Sequence, residues 1–197
     1  MLDSLAVITT PFFTPEECQD IISYCVKKEE SLQDSSSDYG IVSSNQVTTS
    51  NFDKYNFFLD NQQYIPRLTD IISDTLPWLT KPLLVQSWVN IYRTGEGIKW
   101  HNHAGLHDHS YTANIFIGGD TNPGLAICEP GNGQAVVPNK LGEMMILNCC
   151  LFHSVAPIKS SIPRYTIGMT IHDYYAITPE ILSQAAINSN QCQMLIQ

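Results

Sequence analysis

The chain has 197 residues, of which 43% are hydrophobic, 10% aromatic and 15% charged, enough to bury a core and too apolar for a mainly disordered segment. Nineteen acidic residues against ten basic ones leave a formal charge of -9 with no Lys or Arg run that follows a phosphate backbone, so nucleic acid and anionic membrane surfaces are poor partners. No apolar stretch approaches the roughly 20 residues that span a bilayer and no signal-peptide pattern opens the chain, so a soluble, cytoplasmic protein is expected.

In chain order, the first clear element opens at Thr14-Pro15-Glu16-Glu17, where Thr caps a helix, Pro takes its first position and Glu17 completes a capping box. Cys18, Ile21, Ile22, Cys25 and Val26 recur at helical spacing, and Lys27 and Lys28 fall where a helix C-terminus favours cations. Residues 31–62 begin rich in Ser and Asn and then carry Phe52, Tyr55, Phe57 and Phe58. They read either as a surface loop with a short hairpin or as a flap over a site. A second amphipathic helix is expected over 64–76, with Leu68, Ile71, Ile72 and Thr75 on one face and Pro77 as its stop.

From Leu83 the hydrophobic period changes from 3.6 to 2, and strands are expected at 83–92, 111–117, 124–128, 134–137, 143–148, 153–157 and 164–173. Short strands after two helices indicate an α+β, mainly β chain, an antiparallel sandwich or barrel with helices on one side. The expected organisation is one domain over 1–197: a helical part over about 1–82, a β-barrel over about 83–175 and a helical tail over 176–197 opened by Thr178-Pro179-Glu180. The six cysteines form no CxxC pair and read as reduced, small apolar fillers.

Four of the six histidines, His101, His103, His107 and His109, share one nine-residue window. On a strand His101 and His103 point to the same face, and two neutral imidazoles so placed can chelate one metal. A third ligand must come from elsewhere, and His153 stands at the start of a short strand after the apolar run Met144 to Leu147. Arg164 alternates with small and polar residues (Thr166, Gly168, Thr170) on one strand face, where a guanidinium wants a carboxylate.

His101-x-His103, then His153, then Arg164 eleven residues later resembles the ligand order of the Fe(II)/2-oxoglutarate dioxygenases, prolyl 4-hydroxylase-like members above all. Phe13-Thr14-Pro15-Glu16-Glu17-Cys18 is similar to their opening helix, Tyr92-Arg93-Thr94-Gly95 to their approach strand, and Gly142 to Leu147 to the strand before the distal His. The resemblance implies a double-stranded β-helix (jelly-roll) core with N-terminal helices packed on one side. It implies Fe(II) on His101, His103 and His153, with 2-oxoglutarate as cosubstrate, its far carboxylate on Arg164, and Tyr92 and Asn114 beside it. With O2, such an enzyme hydroxylates a C–H bond of a peptide or small-molecule substrate.

The chain departs from the pattern at His103, because the family's facial triad pairs two histidines with one carboxylate. Either His103 ligates in the carboxylate's place, or Asp108 reaches in, or the barrel has lost its metal. Three neutral ligands leave a site at +2 instead of +1, favouring an anionic cosubstrate and weakening the hold on the cation. Family members that lack the carboxylate bind halide in the vacancy, but His103 fills it, so halogenation is not expected. Where prolyl hydroxylases carry a Tyr on the following strand this chain has Phe116, which removes one contact to the cosubstrate tail. A second reading is a cupin-like metal barrel: Gly95, His101, His103 and Asp108 resemble the first cupin motif with Asp for Glu, although nothing before His153 matches the second. A non-catalytic binding protein on the same fold is the third.

Overall fold

In the computed structural model, which describes residues 7–32, 47–48, 55–79, 81–103, 110–129, 133–174 and 194–196, helix α1 (Pro15–Leu32) starts at the expected capping box. The Glu17 amide donates to Thr14 Oγ1 at 3.2 Å and the Thr14 amide donates to Glu17 Oε2 at 2.9 Å. The helix runs on to Leu32, so Lys27 and Lys28 do not sit at its end as expected, and Lys28 instead pairs with Asp60 at 2.7 Å. Helix α2 (Phe57–Asp60), a 3-10 turn (Gln62–Tyr64) and α3 (Ile65–Thr75) follow, with the Asn56 side chain accepting from the Phe58 amide at 3.0 Å to cap α2. Arg67 of α3 grips both carboxylate oxygens of Glu17 at 2.7 and 2.9 Å, tying the two longer helices together.

All seven expected strands form: β3 (Leu83–Tyr92), β5 (Ser110–Gly119), β6 (Leu125–Glu129), β7 (Gly133–Val137), β8 (Glu143–Asn148), β9 (Phe152–Val155) and β10 (Arg164–Asp173). Four more accompany them: β1 (Val7–Pro11), β2 (Val47–Thr48), β4 (Ile98–His101) and β11 (Met194–Ile196). The larger sheet has the order β1-β8-β5-β10-β3-β11, with β2 also paired to β3, and the smaller has the order β4-β9-β6-β7. Every pairing is antiparallel. This is the jelly-roll architecture expected.

Two details differ from the expected organisation. β1 lies within the part expected to be helical and joins the large sheet through β8, because Val7 and Ile8 cover apolar edge surface there. β11 lies in the tail expected to be helical and pairs with the start of β3, Ile196 opposite Leu83. Thr178 and its neighbours, like residues 33–46 and 49–54, fall outside the described residues.

The period of 2 divides the large sheet into two unlike faces. Val85, Val89, Ile91, Ile115, Ile117, Met144, Ile146, Ile167, Met169 and Ile171 point outward and are buried with the helices and with Phe12, Phe13, Phe57 and Phe58. Phe57 and Phe58 are fully buried, so these two aromatics of the 52–58 segment belong to the core and not to a flap. At roughly 1.5–3 kcal/mol for each fully buried large apolar side chain, this outer cluster is what fixes the helices to the sheet. The opposite face, which carries Tyr92, Asn90 and Trp88, Asn114 and Thr112, and Gly168, looks across the barrel at Leu125, His153 and Val155 of the smaller sheet. Hydrocarbon holds the sheet from outside while polar groups line the interior.

No helix among the described residues is long and apolar enough to cross a membrane.

Candidate metal centre

The antiparallel register sets the site. β4 and β9 are neighbours in the smaller sheet with His101 directly opposite His153. His103 lies two residues beyond His101, where its backbone amide donates to the Cys149 carbonyl at 2.8 Å and so ties it to the end of β8. The three rings meet, with centroid separations of 4.3 Å for His101–His153, 5.2 Å for His101–His103 and 5.3 Å for His103–His153. One ring nitrogen from each lies within 4.8 Å of the others. No carboxylate among the described residues joins them, and Asp108, His107 and His109 are outside those residues.

Hydrogen bonds select the tautomer. His101 Nδ1 faces the Lys99 carbonyl at 2.9 Å and His153 Nδ1 faces the Leu151 carbonyl at 3.0 Å. A carbonyl only accepts, so both Nδ1 atoms carry the proton and both Nε2 lone pairs remain for a cation. Partners of this kind orient metal-binding imidazoles.

Electrostatics agrees. Burial pushes the His103 pKa down to about 3, helped by the neighbouring His153, His101 and His172. Burial, with His101 beside it, takes His153 down to about 4, and burial also lowers His101. All three rings are neutral near pH 7, so a metal there need not displace protons. His172 at the end of β10 is buried too, with Nδ1 2.8 Å from Ser110 Oγ and a pKa brought down to about 4 by burial.

A pocket opens from the histidines into the barrel, lined among others by Trp88, Asn90, Tyr92, Asn114 and Gly168. Asn114 Oδ1 is buried with no hydrogen-bond partner among the described residues, and so is Thr170 Oγ1 further along β10. Arg164 does not itself line this pocket; it is fully buried against Tyr92, which does, and stands opposite it across β10 and β3. Its guanidinium lies between the rings of Tyr92, 5.5 Å away, and Phe116, 5.9 Å away. Nη1 donates to the Pro123 carbonyl at 2.6 Å and Nη2 to Asn139 Oδ1 at 3.1 Å, while Nε has no partner. Among the described residues no carboxylate forms an ion pair with it. Burial lowers its pKa, opposed by Tyr92 and Asp120.

A buried cation held only by neutral oxygens and ring faces, with one N–H unsatisfied, is costly unless an anion joins it. Three neutral imidazoles on the pocket suit a divalent first-row metal, and the guanidinium buried against its Tyr92 wall suits a carboxylate. The residues present therefore fit a metal and an anionic organic ligand. Trp88, Asn90, Thr170 and Asn139 complete this interior without a sequence signature; only their place on alternate positions of strands, or in the loop after Val137, connects them to it.

The antiparallel jelly roll with helices on one outer face and a histidine cluster within it is the double-stranded β-helix fold of the Fe(II)/2-oxoglutarate oxygenases. Among solved structures, it is similar to a Pseudomonas putida prolyl-4-hydroxylase (13% identity, 85% of this chain and 92% of that one, TM-score 0.60). It is likewise similar to the viral collagen prolyl hydroxylase of Paramecium Bursaria Chlorella virus-1 in complex with 2-oxoglutarate (14%, 86% and 97%, TM-score 0.60). HygX from Streptomyces hygroscopicus, with nickel and 2-oxoglutarate bound, matches over 88% of this chain and 85% of its own at 13% identity and a TM-score of 0.62. No family profile matches the chain, nor does any curated protein sequence.

Proposed function

We propose that this protein is an Fe(II)- and 2-oxoglutarate-dependent oxygenase, one catalytic unit over 1–197, that hydroxylates a C–H bond of a peptide or small-molecule substrate. The observation that carries this reading is the three convergent imidazoles of His101, His103 and His153 on an interior pocket whose Tyr92 wall packs against the buried Arg164 guanidinium, which has no ion-pair partner among the described residues. The fold it shares with 2-oxoglutarate-bound structures supports it.

His101, His103 and His153 are the metal ligands, with His103 at the position of the usual carboxylate. Arg164 takes the far carboxylate of 2-oxoglutarate, with Tyr92 against its ring face and Asn114 at the side of the pocket. Phe116 on the other face of the guanidinium offers no hydrogen bond, so the tail rests on Arg164 more heavily than where a Tyr stands there. When bound, iron and 2-oxoglutarate supply with O2 a two-electron oxidation in which 2-oxoglutarate becomes succinate and carbon dioxide as an oxygen atom enters the substrate C–H bond. The protein's part is binding, orientation and exclusion of water. The carbonyls of Lys99 and Leu151 hold the imidazoles in the ligating tautomer, and the apolar wall of Leu125, Leu147 and Val155 keeps the pocket dry. No described side chain is needed as a nucleophile. The five described cysteines are free thiols, which supports a reducing, cytoplasmic location.

The test is anaerobic addition of Fe(II) and 2-oxoglutarate to the purified protein, with elemental analysis of bound metal. The expected result is a visible charge-transfer absorption that needs both components. A protein that binds neither is not an oxygenase. Exchanging His103→Asp separates the ligand sets: with His103 on the metal, the variant binds Fe(II) more tightly because the site charge falls to +1, whereas a site built on Asp108 responds little.

A further inference from the structure

The connection between β7 and β8 holds Arg164 by a neutral amide, and that amide is Asn139. It is buried, 7% exposed, in the connection between β7 and β8. Its Nδ2 donates to the Thr121 carbonyl at 2.7 Å and to the Pro123 carbonyl at 3.0 Å, and its Oδ1 accepts from Arg164 Nη2 at 3.1 Å. Arg164 Nη1 donates to the same Pro123 carbonyl at 2.6 Å, closing a ring of hydrogen bonds through Arg164, Pro123 and Asn139. The amide therefore uses both its donors to fix the loop after β5 and its acceptor to fix the guanidinium.

We propose that Asn139 is the positioning residue for the cosubstrate's far carboxylate: it aims the Arg164 fork without neutralising it. This rests on the oxygenase reading above. A guanidinium has five N–H donors in a fixed plane. With one N–H on Pro123 and one on Asn139, the plane is set, and Nε–H together with the second hydrogen of each terminal nitrogen is left for a ligand. Both protein acceptors are neutral oxygens, so within the hydrogen-bonded ring nothing neutralises the positive charge, and among the described residues the only carboxylate acting on it electrostatically is Asp120, which forms no ion pair with it. A carboxylate at position 139 has nearly the same shape, yet it would pair with the guanidinium inside the protein and compete with any bound anion. An amide in this place, between a buried arginine and two carbonyls, both orients the arginine and leaves it electrostatically unsatisfied.

The experiment uses the full chain loaded anaerobically with Fe(II), and the dissociation constant of 2-oxoglutarate is read from the charge-transfer absorption for wild type, Asn139→Ala and Asn139→Asp. Both variants lose the two Nδ2 donations, and Asn139→Asp also turns a carboxylate oxygen toward the Thr121 and Pro123 carbonyls, so under a purely structural role any loss of 2-oxoglutarate affinity follows the fall in thermal unfolding midpoint and extends to Fe(II). The positioning role predicts that Asn139→Ala weakens 2-oxoglutarate binding by about tenfold, the low end for loss of an orienting partner. It predicts that Asn139→Asp weakens it by roughly a hundredfold or more, because the competitor is now a charge. Fe(II) affinity stays within about threefold of wild type in both, as neither touches the imidazoles. Equal 2-oxoglutarate affinity in the two variants, or affinity unchanged from wild type in Asn139→Asp, overturns the assignment while leaving the oxygenase reading in place. Failure of the wild-type protein itself to bind 2-oxoglutarate overturns both together.

Discussion

The two ends of the barrel interior are built on opposite principles. At the histidine end, His101 and His153 face each other across the antiparallel pair β4 and β9, past an irregularity between Ile98 and His101, and His103 joins them from just beyond β4. At the arginine end, one side chain on β10 is steered by the carbonyl of Pro123 and the amide of Asn139, both from connections outside the strands. The first end is neutral and waits for a cation; the second is a cation without an anion. A ligand that bridges them is selected at both ends at once, so damage at the arginine end should weaken that ligand while leaving Fe(II) binding at the histidines largely intact.

The most severe break is His153→Ala. Its ring supplies one of three nitrogens, and the two that remain lie close in sequence on one side of the cation. Fe(II) affinity is expected to fall by at least about a hundredfold, since metal-binding free energy is shared among few ligands. Anaerobic metal titration measures this, and retention of stoichiometric iron would show that the ligands lie elsewhere. Next is Arg164→Met, which replaces the buried cation by an apolar chain of similar length. Loss of a charge-assisted contact predicts roughly a tenfold to hundredfold weaker 2-oxoglutarate binding with unchanged Fe(II) binding. The metal-free fold should lose no more than about 1–2 kcal/mol, because removing an unpaired buried charge offsets the two lost hydrogen bonds. Calorimetric unfolding alongside ligand titration checks both halves.

The same contrast explains what the sequence discloses. His101, His103 and His153 are legible because a spacing of two brings two imidazoles together and few other histidines compete for notice, although β4 ends at His101 and His103 reaches the cluster from beyond the strand through its bond to the Cys149 carbonyl. Arg164 is legible from the alternation along 164–173, and all seven strands after Leu83 follow from period and punctuation. β1 escapes because Val-Ile-Thr-Thr is too short to show alternation, and β4 because Ile98 to His101 carries apolar and polar residues without a clear period. The flap reading of the 52–58 aromatics fails at Phe57 and Phe58 because aromatic content says nothing about which surface lies beneath it; here that surface is the outer face of β3 and its neighbours. Asn139 is invisible in sequence, since its three hydrogen bonds go to Thr121, Pro123 and Arg164, residues 16 to 25 positions away.

Acid provides a break aimed at the histidine end. His103, with a pKa near 3, and His153 and His172, near 4, are neutral in the folded protein and return to about 6.5 when unfolded. Below pH 6.5 the unfolded chain binds more protons than the folded one, so stability is fully present above that pH and is lost on acidification until the folded values are reached. Each such histidine contributes a slope of up to about 1.4 kcal/mol per pH unit within the window. Thermal unfolding of the metal-free protein between about pH 7.5 and about pH 5 should show a falling midpoint, and His172→Asn should flatten the curve without abolishing Fe(II) binding. A midpoint indifferent to pH would mean these rings are not buried neutral.

The smallest break lies between the ends, at Gly168. A Cβ there would stand 2.7 Å from Cε2 and Nε1 of Trp88, so the indole of β3 lies across the glycine and helps shape the pocket midway along its length. Gly168→Ala therefore forces Trp88, which lines the pocket, to shift. Overpacking of this kind costs about 1–3 kcal/mol of stability. Because Trp88 touches neither the metal-side hydrogen bonds nor the Arg164 ring, Fe(II) affinity should hold while 2-oxoglutarate binds a few-fold less well. Combining Gly168→Ala with Trp88→Phe relieves the clash, and a double-mutant cycle should give a favourable coupling between the two positions. Additive effects would mean that the indole yields without cost, and a simultaneous loss of Fe(II) binding in Gly168→Ala would mean that the two ends are coupled through the strand and are not the separable halves their construction implies.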